Sequence, residues 1–161
     1  MMKKTIFLVV LALFFQNMLK AQPDSSYNAA KHQKNAMNVL LTWGVGSALV
    51  GAGKMALSTT PYGKAFALQT MIWGGIDAGI AGYGKYSLNK KLLNGSFVPA
   101  QERKDFRKVL LINALIDVGY VGLGVALMRA KNDKWHGHGI GIATQGAFLV
   151  LFDGLNFAIT F

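Results

Sequence analysis

Asp77, Asp117 and Asp153 each lie in the middle of an apolar run: FALQTMIWGGIDAGIAGYG, VLLINALIDVGYVGLGVALM and GIGIATQGAFLVLFDGLNFAITF. The chain has only seven acidic residues, so three in such surroundings are conspicuous. A carboxylate at that depth costs roughly 3 kcal/mol on insertion scales, and must be paired, protonated or useful. Two kinds of chemistry fit. The carboxyl groups can tie helices together by hydrogen bonds, or they can hold a proton, a cation or a cationic headgroup. No basic residue lies in the middle of these runs. Lys54, in the preceding run, is the only nearby cation, and it lies more than a turn away. Three carboxyls at one depth cannot all ionise without a counter-charge, so one or two are expected to be protonated at neutral pH.

Helical spacing brings further polar side chains to the same faces. Asn113, Asp117, Tyr120 and Gly124 fall within about 60° of one another on a helix, and Gln69, Trp73 and Asp77 within about 80°. Gln145, Phe152, Asp153 and Asn156 share about 100°. Each stripe must turn inward if the helices cross a bilayer, because lipid offers no hydrogen-bonding partners. Following the alternating helix directions, Gln69 and Gln145 come to one side of the aspartates, and Asn113 and Asn156 to the other. The expectation is a polar seam in which amide, Tyr and Trp groups hydrogen-bond the acids.

Other chemistry finds little support. Trp135-His136-Gly137-His138, with Asp133, has two histidines at i and i+2, which cannot form a helical ligand pair, so a solvated turn is expected and no metal or other cofactor. The string Gly74-Gly75-Ile76-Asp77 is not the Gly-x-Gly-Asp of intramembrane proteases, and Gly-x-Ser-Gly is missing. A P-loop, a dinucleotide fingerprint and a nucleophile elbow are missing too. With no cysteine, disulfides and thiolate metal sites are excluded. The expectation is a protein that is not an enzyme.

The elements that position the acids follow from composition. Hydrophobic residues make up 52% and charged residues 15%, where a soluble domain carries about a quarter charged. The apolar residues gather into four blocks of about bilayer-spanning length, 37–57, 66–84, 109–128 and 139–161. Small residues recur every fourth position at Gly44, Ala48, Ala52 and Ala56, and again at Gly74, Ala78 and Gly82, as ridges for close helix approach. Residues 58–64 and 129–138 are short turns, which makes two antiparallel hairpins. Residues 1–21 read as a signal peptide: Lys3 and Lys4, an apolar stretch from Ile6 to Phe15, and a cleavage point at Ala21-Gln22. Residues 22–36 form a polar tail leading into the first helix. The fold expected is all-α, a four-helix transmembrane bundle.

The net charge of +10 is concentrated between the blocks, above all in Lys85–Lys108. That pattern suits anionic headgroups of a lipid bilayer, and neither a nucleic-acid motif nor an aromatic–basic platform accompanies it. Orientation is read two ways. A signal peptide would put the basic loop in the periplasm, whereas the positive-inside rule would keep it in the cytoplasm. The hairpins also share Gln-x7-Asp at an offset of 76 (Gln69 with Gln145, Asp77 with Asp153). At offset 71, Gly51 meets Gly122 and Gly53 meets Gly124. This is either an internal duplication or coincidence between Gly-rich helices.

The strings LLINALIDVGY and QGAFLVLFDGLNF, with the leader and four Gly-rich spans, resemble a family of small uncharacterised membrane proteins from Bacteroidetes. Similar Asn-Ala-x-x-Asp-Val and Gln-Gly-x-Phe-Leu-x-x-Phe-Asp motifs recur there. The resemblance implies the architecture and supplies no activity. The function expected is structural or accessory, in the inner membrane, packing against itself or a membrane partner. Proton- or cation-linked transport is the first alternative and a lipid-modifying enzyme the second.

Overall fold

A computed structural model describes residues 27–161; the leader lies outside the described residues. The described chain is all-α, with four helices: α1 (Ala29–Leu57), α2 (Pro61–Leu93), α3 (Pro99–Leu127) and α4 (Asp133–Ile159). Three of them, α1, α3 and α4, are long and apolar enough to cross a membrane. The second expected span falls short of that by composition, since α2 carries Gln69, Asp77 and many glycines before its lysines Lys85, Lys90 and Lys91.

The helices begin where their caps allow. The Asn28 side chain accepts from the Lys31 amide, Thr60 from Gly63, and Asn132 from Lys134 and Trp135. Pro61 and Pro99 each occupy a first-turn position. There the missing amide hydrogen costs nothing, so Pro61 opens α2 rather than breaking the chain as a turn residue. α1, α2 and α3 also run past the expected spans at the end that gathers residues 29, 93, 99 and 159, whereas α4 ends at Ile159 and instead begins before its span, at Asp133. The expected tail is therefore partly α1. Ala29, Gln33 and Ala36 are buried and extend its inward face backwards from Leu40. Between α2 and α3, Gly95 takes φ 72°, a left-handed turn that suits glycine.

Within each hairpin the helices pack closely, α1 on α2 and α3 on α4, and α4 also packs along α2. Contact between α1 and α3 is slight. The buried apolar core is thin: Ala36, Leu40, Ala81, Leu149 and Phe152 form one cluster, and Leu110 and Phe157 another. Much of the packing is backbone on backbone. A Cβ on Gly44 would run into the backbone of Ala78 and Gly74, and one on Gly139 into that of Met128 and Gly124. The seam between α1 and α2 follows Gly44, Ser47 and Gly51, while Ala52, Ala56 and Gly82 of the expected ridges are exposed. A strict four-residue repeat drifts about 40° per step, so it leaves the contact after two steps.

Arginines close the basic end. Arg103 Nε donates to the Thr160 carbonyl at 2.8 Å and Arg107 Nε to Thr160 Oγ1 at 3.0 Å. The same guanidinium groups also donate to the carbonyls of Phe161 and Thr160. Two cations thus cap the last carbonyls of α4, where the helix dipole is negative. Lys91 pairs with Glu102 at 2.6 Å, tying the end of α2 to the start of α3.

Gly74→Leu is expected to destabilise the detergent-solubilised protein by about 3 kcal/mol or more, because backbone rather than a movable side chain occupies the space. Gly75→Leu, one residue on and facing open space, is expected to leave the thermal midpoint near the wild-type value. Equal midpoints for the two variants would show that the close approach of α1 and α2 is not a source of stability.

Candidate functional site: a buried aspartate layer

The three aspartates converge. Asp77 from α2, Asp117 from α3 and Asp153 from α4 are 2%, 5% and 4% exposed. They share one layer because α4 lies between α2 and α3 and contacts both. Each acid sits on the seam that its helix presents: Gly74–Asp77–Ala81, Ala114–Asp117–Gly124 and Phe152–Asp153–Phe157. Asp117 and Asp153 are within hydrogen-bonding reach of each other, and Asp77 is close enough to interact electrostatically with both. Two facing carboxyls hydrogen-bond only when one of them carries the proton. Asp77 Oδ2 and Asp117 Oδ2 are buried with no hydrogen-bond partner among the described residues.

Among the described residues no amide hydrogen-bonds these acids, contrary to the expected seam. Gln145, 2% exposed, accepts instead from Trp43 Nε1 at 2.9 Å, and that indole stacks on Phe148 at 3.8 Å between centroids. Gln69 Nε2 donates to His138 Nδ1 at 3.0 Å. Asn156 Nδ2 donates to the Phe152 carbonyl at 2.7 Å, which leaves Oδ1 to accept from His32 Nε2 at 2.9 Å. His32 Nδ1 in turn lies 2.9 Å from the Tyr27 hydroxyl. Burial pushes the pKa of that hydroxyl up, against the pull of Arg103 and Arg107, so it stays a neutral donor. Spacing explains why the amides stay away. Gln69 and Gln145 are each eight residues from their aspartate, about 12 Å along a helix, which no glutamine side chain spans.

Tyr120 lies beside the acid layer, its ring edge-on to Trp73 at 4.8 Å. Asn113 does not join: it is exposed. It sits on the flank of the α3 stripe one turn from Asp117, where α3 has no close neighbour to cover it. The wheel gave its direction correctly, but direction alone does not provide cover. Lys54 is exposed too, its ammonium 4.5 Å from the centroid of the Phe66 ring, so it offers the acids no counter-charge.

The Trp135–His138 string is not a solvated turn. It forms the first turns of α4, with His136 Nδ1 donating to the Met128 carbonyl at 2.6 Å and His138 half-buried against Gln69. Among the described residues, no group of three or more His, Asp or Glu could hold a metal ion. Sequence reasoning did not anticipate Trp43, His32 or Tyr27. The signal for His32 was available in the run Ala29, Gln33, Ala36 and Leu40, whose spacing continues the inward face of α1 through the supposed tail. Trp43 gave none, since its partner stands 102 positions away.

The polar side chains thus form stacked pairs across the bundle. From the turn end these run Gln69 with His138, Gln145 with Trp43, the aspartate layer, and then Asn156 with His32. The layer can hold protons between carboxyl groups and tie three helices at one depth.

No curated protein and no solved structure matches the chain. A family model matches residues 39–154, a stretch that contains Asp77, Asp117 and Asp153 with Gln69 and Gln145. The chain belongs to DUF6992, a family of unknown function.

Proposed function

We propose that this chain is a four-span protein of the inner membrane, not an enzyme, with a structural or accessory role. In this reading α2 crosses alongside the three more apolar helices, its polar side chains turned onto α1 and α4. The observation that carries the proposal is the enclosure of the acid layer. Two grooves in the molecule, about 710 and 340 Å³, are lined by none of the three acids. A carboxyl cluster closed in this way serves as an interhelical tie, each bond worth about 1 kcal/mol in a membrane. Partnership with another copy or a second membrane protein accounts for a chain this small, and the basic loop meets anionic headgroups. The resemblance to Bacteroidetes membrane proteins suits a leader ending in Ala21-Gln22.

Proton- or cation-linked transport is the second reading. It draws on the unpartnered oxygens of Asp77 and Asp117, which leave room in the layer for a proton to change places.

Proteoliposomes loaded with a pH-sensitive dye separate the two. Wild-type protein is expected to leak protons no faster than empty vesicles, and a flux abolished by Asp117→Asn would replace the structural reading with transport. Asp117→Leu is expected to cost about 1–3 kcal/mol of stability by orphaning Asp153, while Asp117→Asn keeps most of it. An infrared difference spectrum is expected to show a protonated carboxyl band at pH 7 that Asp117→Asn diminishes. Full ionisation of all three acids at that pH would rule out the tie.

Orientation follows the leader, which acts first, so both chain ends lie in the periplasm. Alkaline phosphatase fused after Phe161 is expected to be active. An inactive phosphatase with a fluorescent cytoplasmic reporter at the same position would reverse the orientation and favour the lysine-and-arginine asymmetry.

A further inference from the structure

The larger groove lies between α1 and α4, with α2 as its floor, on the flank that α3 does not cover. Its lining includes Val39, Trp43, Val50, Phe66 and Phe148. Thr42 and Thr70 also face it, but each hydroxyl is engaged with a carbonyl of its own helix, Asn38 and Phe66 respectively, so methyl groups are what remain. Apart from the hydroxyls of Ser47 and Thr144 the wall is therefore apolar and partly flat, with the Trp43 indole stacked on Phe148. From Asn38 to Val50 the α1 side runs about 18 Å, close to the roughly 15 Å thickness of one leaflet's hydrocarbon.

One mouth is cationic. Lys85 Nζ donates to Asn38 Oδ1 at 2.8 Å, which fixes an ammonium group at the end of the groove. Lys34 and Lys31 lie one and two turns further along α1, within about 40° of the direction of Asn38, and both are exposed. Among the described residues the salt bridge is that of Lys91 with Glu102, so these three lysines bring uncompensated charge to the mouth.

We propose that the groove binds one acyl chain of an anionic phospholipid, with the phosphate at Lys85, Lys34 and Lys31. The inference rests on the membrane reading above and deepens it from a diffuse basic loop to a defined lipid site. A second copy of the chain fits the groove less well. In a parallel pair the same three lysines would face their counterparts, and like charges repel.

The full chain in phosphatidylcholine vesicles provides the test, using tryptophan fluorescence and lipids brominated on the acyl chain. Brominated phosphatidylglycerol is expected to reach half-maximal quenching at about a fivefold lower lipid fraction than brominated phosphatidylcholine, the gain from one engaged lysine. Gly46 lines the groove and faces open space, so Gly46→Phe fills the groove without striking backbone and is expected to abolish the difference. Gly53→Phe, equally open but outside the groove, is expected to retain it. Lys34→Gln with Lys85→Gln is expected to bring phosphatidylglycerol to the phosphatidylcholine level. Equal quenching by the two lipids overturns the inference alone, as does a Gly46→Phe chain that keeps the preference or loses only a cross-linked dimer. A chain that does not float with the vesicles overturns the membrane reading and the inference together.

Discussion

Three carboxyl groups buried together, with no basic side chain beside them among the described residues, set the terms for this molecule. Burial without a counter-charge is tolerable when carboxyls neutralise one another through a shared proton, and that requires the helices carrying them to meet at one depth. α4 satisfies the requirement by lying between α2 and α3, bringing Asp153 to Asp117 on one side and Asp77 on the other. α1 contributes no acid, and it packs on α2 and only lightly on α3. The helix excluded from the layer is the one whose flank opens into the lateral groove.

Such proximity needs small residues, since side chains of ordinary size would hold the helix axes too far apart for short Asp side chains to meet. Gly124 and Gly139 close the α3–α4 hairpin, and Gly44 and Gly74 close α1 onto α2. The apolar core stays thin in consequence, with the two largest clusters holding a handful of side chains. Helix length adds what the core lacks: α1, α2 and α3 run beyond their apolar blocks at the basic end, which gains polar ties from His32 with Asn156 to the arginines on Thr160. A single layer of acids thereby accounts for the glycines, the thin core and the clamped end.

Much of this was legible in the sequence, and the failures have physical causes. The acids stood out because so few occur and each interrupts an apolar run, and helical spacing placed all three inward. Asn113 shares their direction and is nevertheless exposed, because a helical wheel specifies orientation and says nothing about whether a neighbour is present. Shared face alone points the amides toward the acids, although a separation of eight residues puts Gln69 and Gln145 out of reach. Ala52, Ala56 and Gly82 were read from a four-residue repeat that drifts off a straight seam. Trp43 with Gln145, and His32 with Asn156, are contacts between distant positions that no local pattern encodes. The two hairpins illustrate the same limit. Asp77 and Asp153 occupy one layer, yet Gly51 packs on Met71 while Gly122, its counterpart at offset 71, faces open space.

The extent of the family match bears on which features belong together. It covers residues 39–154 and so takes in the aspartates, their glycine seams, Trp43, Lys85 and most of the groove. Tyr27, His32, Asn156 and Thr160 fall outside it, and with them the His32–Asn156 tie and the arginine clamp, while the Lys91–Glu102 pair lies inside. The acid layer consists wholly of matched residues, and the groove does so apart from Asn38, whereas the arginine clamp needs Thr160 and Phe161 from outside. What the match takes in is the arrangement of three acids and one open flank around α4. The arginine clamp holds the bundle at one end through Thr160 and Phe161, beyond the matched stretch.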